Sequence, residues 1–202
     1  YAVDNGAKVI NMSFGKSYSP HAKEVYNAFA YADSKGVLLV HAAGNDNKDV
    51  DTEPNFPTSM YEFQTSKLDH FLTIGASSRF KKDKLPATFS NYGKTGVDVF
   101  APGVEIYSTL PGGNKYGKQD GTSMASPIVT GVAAILRTYY PSLSAKQVKT
   151  ILEKSVYVPA ASAPCLLPGN SSISTPFSRL SKTGGIVNAY NAVLLANSMG
   201  NK

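Results

Sequence analysis

A single cysteine among 202 residues, Cys165, excludes an internal disulfide and any cysteine-based metal site built within one chain. It lies in Pro164-Cys165-Leu166, in a Pro/Ser-rich stretch where nothing local would lower a thiol pKa, so a nucleophilic thiol is not expected there. Imidazoles are scarce too: His21, His41 and His70 are the three the chain contains. No apolar run approaches the ~20 residues a membrane-spanning helix needs, and the sequence opens without Met or a basic-then-apolar leader. Zinc-finger spacing, an RRM signature and an aromatic stacking platform are all missing, and the Lys and Arg residues are scattered. The net charge of +6 therefore reads as a solvated basic surface with no nucleic-acid partner. No internal repeat or second domain is visible.

Apolar residues make up 42% of the chain and charged residues 17%, which suits one domain with a sizeable core. Tyr1 to Lys8 reads as a helix end stopped at Asn5-Gly6, and Val9 to Phe14 as a short buried parallel strand. His21 to Lys35 has helical periodicity with Gly36 as its stop, and Val37 to Val40 completes a βαβ unit. Phe71 to Ala76 is a further strand, Ser77 to Lys84 a basic turn, and Thr88 to Gly93, Val97 to Phe100 and Val104 to Ser108 are strand-like. A long apolar helix follows, with Pro127 expected in its first turn. Ser144 with Gln147 is a capping box for another helix, and Asn188 caps the last. The stretch from about 157 to 183 is long for a loop, and Leu166, Leu167 and Phe177 suggest an ordered surface insertion. The fold class is α/β, a mainly parallel sheet flanked by helices.

Ser123 stands where a loop hands over to the apolar helix. Unpaired N–H groups and the helix dipole at that point would stabilise an alkoxide or an oxyanion, which a weakly nucleophilic hydroxyl requires. On the residues alone, a serine that merely caps a core helix is the better reading. Asn45 after Gly44 likewise reads as a turn residue. His41 is four residues before Asn45, about 13 Å along an extended strand, too far to serve as a base for a serine beside that amide. Asp98 and Asp120 read as structural. Asp46, Asp49, Asp51 and Glu53 could supply oxygens to calcium, but they lack EF-hand spacing and read first as a solvated acidic run.

Gly121-Thr122-Ser123-Met124-Ala125-Ser126-Pro127 resembles the nucleophile motif of the subtilisin-like serine peptidases, and seven consecutive matching residues are a highly specific signal. Val9 to Gly15 resembles that family's substrate-binding edge strand, and Ala42-Ala43-Gly44-Asn45 its oxyanion-hole turn. Phe89 to Gly93, Phe100 to Gly103 and Gly184 to Asn188 follow in the family's order. The resemblance implies a serine endopeptidase: Ser123 forms the acyl-enzyme, Asn45 holds the oxyanion and Thr122 helps to order the hole. Ser13, Phe14, Gly15, Ala43 and Gly44 would line the substrate site, and Asn55, beside a Phe56-Pro57 pair expected to be cis, would sit near the floor of the primary pocket. Lys16 departs from the glycine often found at its position.

The family's aspartate and His-Gly-Thr-His motifs precede the edge strand, and this sequence starts almost on it without a His-Gly pair. Residues 1–202 are therefore expected to be the later part of one domain, inactive alone, with the missing N-terminal part as a partner. The resemblance further implies peptide or protein substrates, no cofactor in the chemistry, a possible structural calcium ion and an extracytoplasmic or secreted location. The alternative is a non-catalytic peptide-binding module or pseudoenzyme.

Overall fold

The computed structural model describes residues 1–79, 85–160 and 164–200. Four strands form a parallel sheet in the order β1-β2-β3-β4: β1 Val9–Met12, β2 Leu38–Ala42, β3 Phe71–Ser77 and β4 Val99–Pro102. Register runs from Val9 opposite Leu38 to Ile74 opposite Val99. Side chains alternate between the two faces of a strand, and the sheet has a core on each. Leu38, Val40, Leu72, Ile74, Val99 and Ala101 face α2 (Thr122–Tyr139), α3 (Ala145–Lys154) and α4 (Ala189–Gly200). Met12, Leu39 and Phe71 instead meet Ala32 and Phe29 of α1 (Ala22–Ser34). β2 and β3 are buried at every residue, as strands covered on both faces should be. β1 is only partly buried because it lies at the sheet edge, a correction to the expectation of a buried strand.

Local chemistry explains most boundaries. Gly36 N–H bonds Asp33 O and Val37 N–H bonds Ala32 O, closing α1 with a Schellman pair. The same pattern at Gly6 and Ala7 closes a single turn over residues 1–6, where a longer helix end was expected. The Ser144–Gln147 capping box forms in both directions, and Asn188 Oδ1 accepts from Asn191 N–H at the start of α4. The Phe56-Pro57 peptide is cis, as the resemblance implied.

Two hairpins extend the fold. Ile106–Leu110 (β5) and Lys115–Gln119 (β6) pair antiparallel across Pro111 to Asn114. Within the expected insertion, Pro164–Leu167 (β7) and Asn170–Pro176 (β8) form another. Cys165 and Phe177 bury against Phe100 and Leu180, and burial pushes the Cys165 thiol up to about 11, consistent with an inert cysteine. The base of this excursion is pinched shut by paired hydrogen bonds between Tyr157 and Ile186. Residues 161–163, and residues 80–84 of the expected basic turn, lie outside the described residues.

Candidate active site

Ser123 is the second residue of α2, and Gly121 is the residue in the cap position. The alternative in which Ser123 merely caps the helix therefore does not describe it, since Gly121 holds that position. Gly121 has φ 150°, a conformation that glycine adopts without a Cβ penalty. Pro127 is also not in the first turn but is the sixth helical residue.

A cavity of about 410 Å³ opens in front of Ser123, lined by Ser13, Phe14, Gly15, Gly44, Asn45, Asn55 and Thr122 among others. Of the catalytic and substrate-lining residues expected from sequence, Ala43 alone is absent from that lining: it is fully buried behind it, its carbonyl accepting from Asn55 Nδ2 at 3.0 Å and Asn91 Nδ2 at 2.8 Å. Phe14 stands 63% exposed at the cavity rim. Lys16 N–H and C=O both pair with Phe56, which ties the continuation of β1 to the loop carrying Asn55.

Asn45 is held by one end of its carboxamide. Its Oδ1 accepts from Thr122 N–H and from Thr122 Oγ1, each at 2.9 Å, while Thr122 Oγ1 in turn accepts from Gly44 N–H. This leaves the Asn45 NH₂ group, on an exposed side chain, without a hydrogen bond among the described residues. Ser123 N–H is similarly unused, being one of the orphan donors of the helix start. Two donors therefore sit at the mouth of one cavity beside a hydroxyl.

Asn91 anchors the same turn from behind and was missed as a functional residue in the sequence. It is 1% exposed; besides its bond to Ala43 O, its Oδ1 accepts from Asp46 and Lys48 N–H. Gly44 has φ 104°, and a Cβ there would come within 2.4 Å of Asn91 Nδ2, so only glycine lets the clamp close. The signal available in the sequence was Asn91 inside the Phe89 to Gly93 motif, where a polar amide interrupts a strand-like run. That amide also explains why Thr88 to Gly93 forms turns and no strand: Ser90 and Asn91 direct their side chains inward to bond backbone groups.

None of the three histidines bonds Ser123, whose Oγ donates to Ser13 O at 3.2 Å. His41 is buried with its Nε2 donating to Phe14 O at 2.9 Å and its Nδ1 unpartnered, and burial pulls its pKa down to about 4. His70 pairs with Asp33, and His21 is exposed ahead of α1. Asp98 Oδ2 accepts from Thr73 N–H, and burial pushes its carboxyl up to about 6. Asp120 accepts from Glu105 N–H. Both carboxylates are spoken for by backbone.

In the acidic run, Asp51 accepts from Thr95 and Gly96, Asp49 from Asp51 N–H, and Glu53 pairs with Lys48. Among the described residues no three His, Cys, Asp or Glu side chains gather to hold a metal ion. No helix of the described residues is long and apolar enough to cross a membrane.

A family model described as the subtilase family, Peptidase_S8, matches residues 1–190. The chain belongs to the subtilase family. Among relatives, it is 44% identical over 136 residues to a thermophilic serine proteinase of Bacillus sp. strain AK1, covering 67% of this chain and 29% of that protein. It is 39% identical over 155 residues to subtilisin DY of Bacillus licheniformis, covering 77% of this chain and 52% of that protein. This subtilase segment thus spans about half or less of the length of these relatives. A solved protease of Pseudoalteromonas arctica PAMC 21717 superposes with a TM-score of 0.71 at 29% identity, over 95% of this chain and 52% of that one. The subtilase cytotoxin SubAB structure reaches a TM-score of 0.75 at 23% identity, a likeness of fold alone.

Proposed function

We propose that residues 1–202 carry the nucleophile and oxyanion-binding half of a serine endopeptidase site, as the later part of one domain with an insertion at about 157–183. The observation that carries the reading is the shared cavity: Ser123 at a helix start, and Asn45 with its carbonyl end pinned by Thr122 so that its NH₂ is the free end.

In this reading Ser123 Oγ attacks a peptide carbonyl carbon and its proton passes to an imidazole. The oxygen that becomes negative is met by Asn45 NH₂ and Ser123 N–H, fixed donors that need no reorganisation as charge develops. Collapse expels the amine, which takes the proton, and water releases the acyl group by the same steps in reverse. Extended peptide would run along Ser13, Phe14 and Gly15 by strand addition, with Gly44 and Asn55 shaping the pocket for one side chain. The acyl transfer calls for no cofactor; a calcium ion would serve stability alone.

The imidazole is assigned to polypeptide outside these 202 residues, because none of His21, His41 and His70 has a hydrogen bond to Ser123 Oγ, which rests on Ser13 O while His41 is tied to Phe14 O and His70 to Asp33. An uncharged face and a groove beside it support this assignment. One face of α2 leaves Pro127, Gly131, Ala134, Ile135, Thr138 and Tyr139 exposed without a single charge, and an apolar groove of about 510 Å³ runs from Ser123 past Met124 and Ile128 to Leu110. The relatives' printed names, a serine proteinase and a subtilisin, support protein substrates; an extracytoplasmic or secreted setting belongs to this reading by family resemblance alone.

The second reading is a peptide-binding module without turnover, favoured by one observation, that Ser123 Oγ rests on Ser13 O with no base beside it. Hydrolysis of a chromogenic peptide by the intact natural protein separates the two. The endopeptidase turns over and Ser123→Ala abolishes it, whereas a module binds the peptide without cleaving it.

A further inference from the structure

Ser13 and Ser123 are joined twice. Ser13 Oγ donates to the carbonyl of Ser123 at 2.8 Å, and Ser123 Oγ donates to the carbonyl of Ser13 at 3.2 Å. The first bond has a cause in the sequence. A helical carbonyl accepts from the N–H four residues on, and four residues after Ser123 stands Pro127, which has no N–H to give. The carbonyl of the nucleophile's own residue is therefore deprived of its regular partner, in a part-buried place where an unpaired backbone group is costly.

The rest of the chain of bonds sets the direction of the Ser13 hydroxyl. A carbonyl can only accept, so the Ser13 proton is committed to Ser123 and Ser13 Oγ is left to accept. Asn11 Nδ2 donates to it at 2.9 Å. That orients the Asn11 amide, whose Oδ1 accepts from Ser126 Oγ at 2.7 Å and shares the Thr130 hydroxyl proton, at 3.2 Å, with the Ser126 carbonyl at 3.1 Å, both residues being on α2. Asn11 and Ser13 are two residues apart and so share one face of the β1 segment, the face turned to α2.

We propose that Ser13 is a positioning residue: its hydroxyl stands in for the helical N–H that Pro127 lacks, and so fixes the first turn of α2, on which the hydroxyl and N–H of Ser123 are set. This rests on the reading of Ser123 as the nucleophile and adds to the substrate-lining role of the Ser13 backbone. Its signature is a coupling between Ser13 and Pro127. If residue 127 regains an N–H, the Ser123 carbonyl regains its helical partner and the Ser13 hydroxyl becomes dispensable.

The test is a double-mutant cycle in the intact natural protein, comparing Ser13→Ala, Pro127→Ala and both together, with Ser13→Thr as the conservative variant. The readings are the rate of Ser123 phosphonylation by a fluorophosphonate, kcat and KM on a peptide, and the thermal midpoint. Ser13→Ala is expected to slow phosphonylation and kcat by about tenfold or more with KM changed less than about threefold, since the loss falls on the reacting group and not on uniform binding. In the Pro127→Ala background the same removal should cost less than about threefold. Ser13→Thr, which keeps the hydroxyl, should retain most of the rate. Equal factors in both backgrounds, or a rise in KM at unchanged kcat, would overturn the positioning role. Where Ser13→Ala lowers the midpoint too far to assay, Ser13→Cys, which fills the space but offers only a weak donor, should show the same dependence on Pro127. A wild type that neither forms an adduct on Ser123 nor cleaves peptide would overturn the nucleophile reading and this inference with it. An adduct with additive variants would overturn this inference alone.

Discussion

Asn45, Thr122 and His41 show how much a single side chain's partners decide. Because Thr122 occupies Asn45 Oδ1 twice, the amide cannot turn over without losing two hydrogen bonds, and its NH₂ stays available. Asn45→Ala is expected to lower kcat by about 10²–10³-fold, the magnitude known for an oxyanion-hole amide in a subtilisin, with KM little changed; steady-state kinetics on a peptide check it. His41 makes a prediction about pH. Its folded pKa, about 4, lies below the ordinary 6.5, so the unfolded chain binds the proton first as pH falls. Its contribution to stability is therefore complete above about 6.5 and is lost as pH drops toward about 4. The difference in unfolding free energy between the wild type and His41→Gln should shrink across that window, and a denaturant series at several pH values measures it. Asp98, pushed up to about 6, acts in the opposite direction, so the comparison must be of the variant with the wild type and not of total stability. At this scale Ser123 and Asn45 were legible because a seven-residue motif and a turn motif carried them. His41's bond to Phe14 O and Asn91's clamp were not, since each joins residues at least 27 positions apart.

Elements were legible where one local rule governed them and obscure where a tertiary contact overrode it. β2, β3, α1 and α3 follow from apolar runs, a glycine stop and a capping box. β6 escaped because Lys115 to Gln119 looks like polar surface; the Pro111 to Asn114 turn chemistry behind β5 was its available signal. The turn that carries Asn45 has no regular ladder of its own and depends on Asn91 from a distant loop. Asn91→Ala would leave Ala43 O with one donor fewer and Asp46 and Lys48 N–H without their acceptor. Unsatisfied buried groups cost about 1–3 kcal/mol each, so a loss of at least about that size is expected by urea unfolding. Activity should fall further than stability alone explains, because the oxyanion donor rides on the same turn.

Across the whole molecule, a sheet covered on both faces ends abruptly at β1, and α2, the central helix of one layer, keeps an uncharged face in solvent. An open strand edge and an apolar face are both invitations to association. The 202-residue segment made alone is expected to self-associate, with sedimentation velocity showing species larger than the monomer, and a clean monomer would show that the exposed face needs no cover. The fold class was legible at this scale because strand and helix patterns alternate, whereas the ordered hairpin of residues 164–176 was legible only as a loop with something to bury. On the proposed reading, Ser123 is an activated nucleophile once the polypeptide that supplies the imidazole is present. The measurement that tests this most directly is the intact mass of the natural full-length protein after fluorophosphonate treatment, with peptide mapping and Ser123→Ala alongside. One adduct per chain, on Ser123 and absent from the variant, is the expected result; a folded protein that stays unmodified, or is modified elsewhere, would contradict the account.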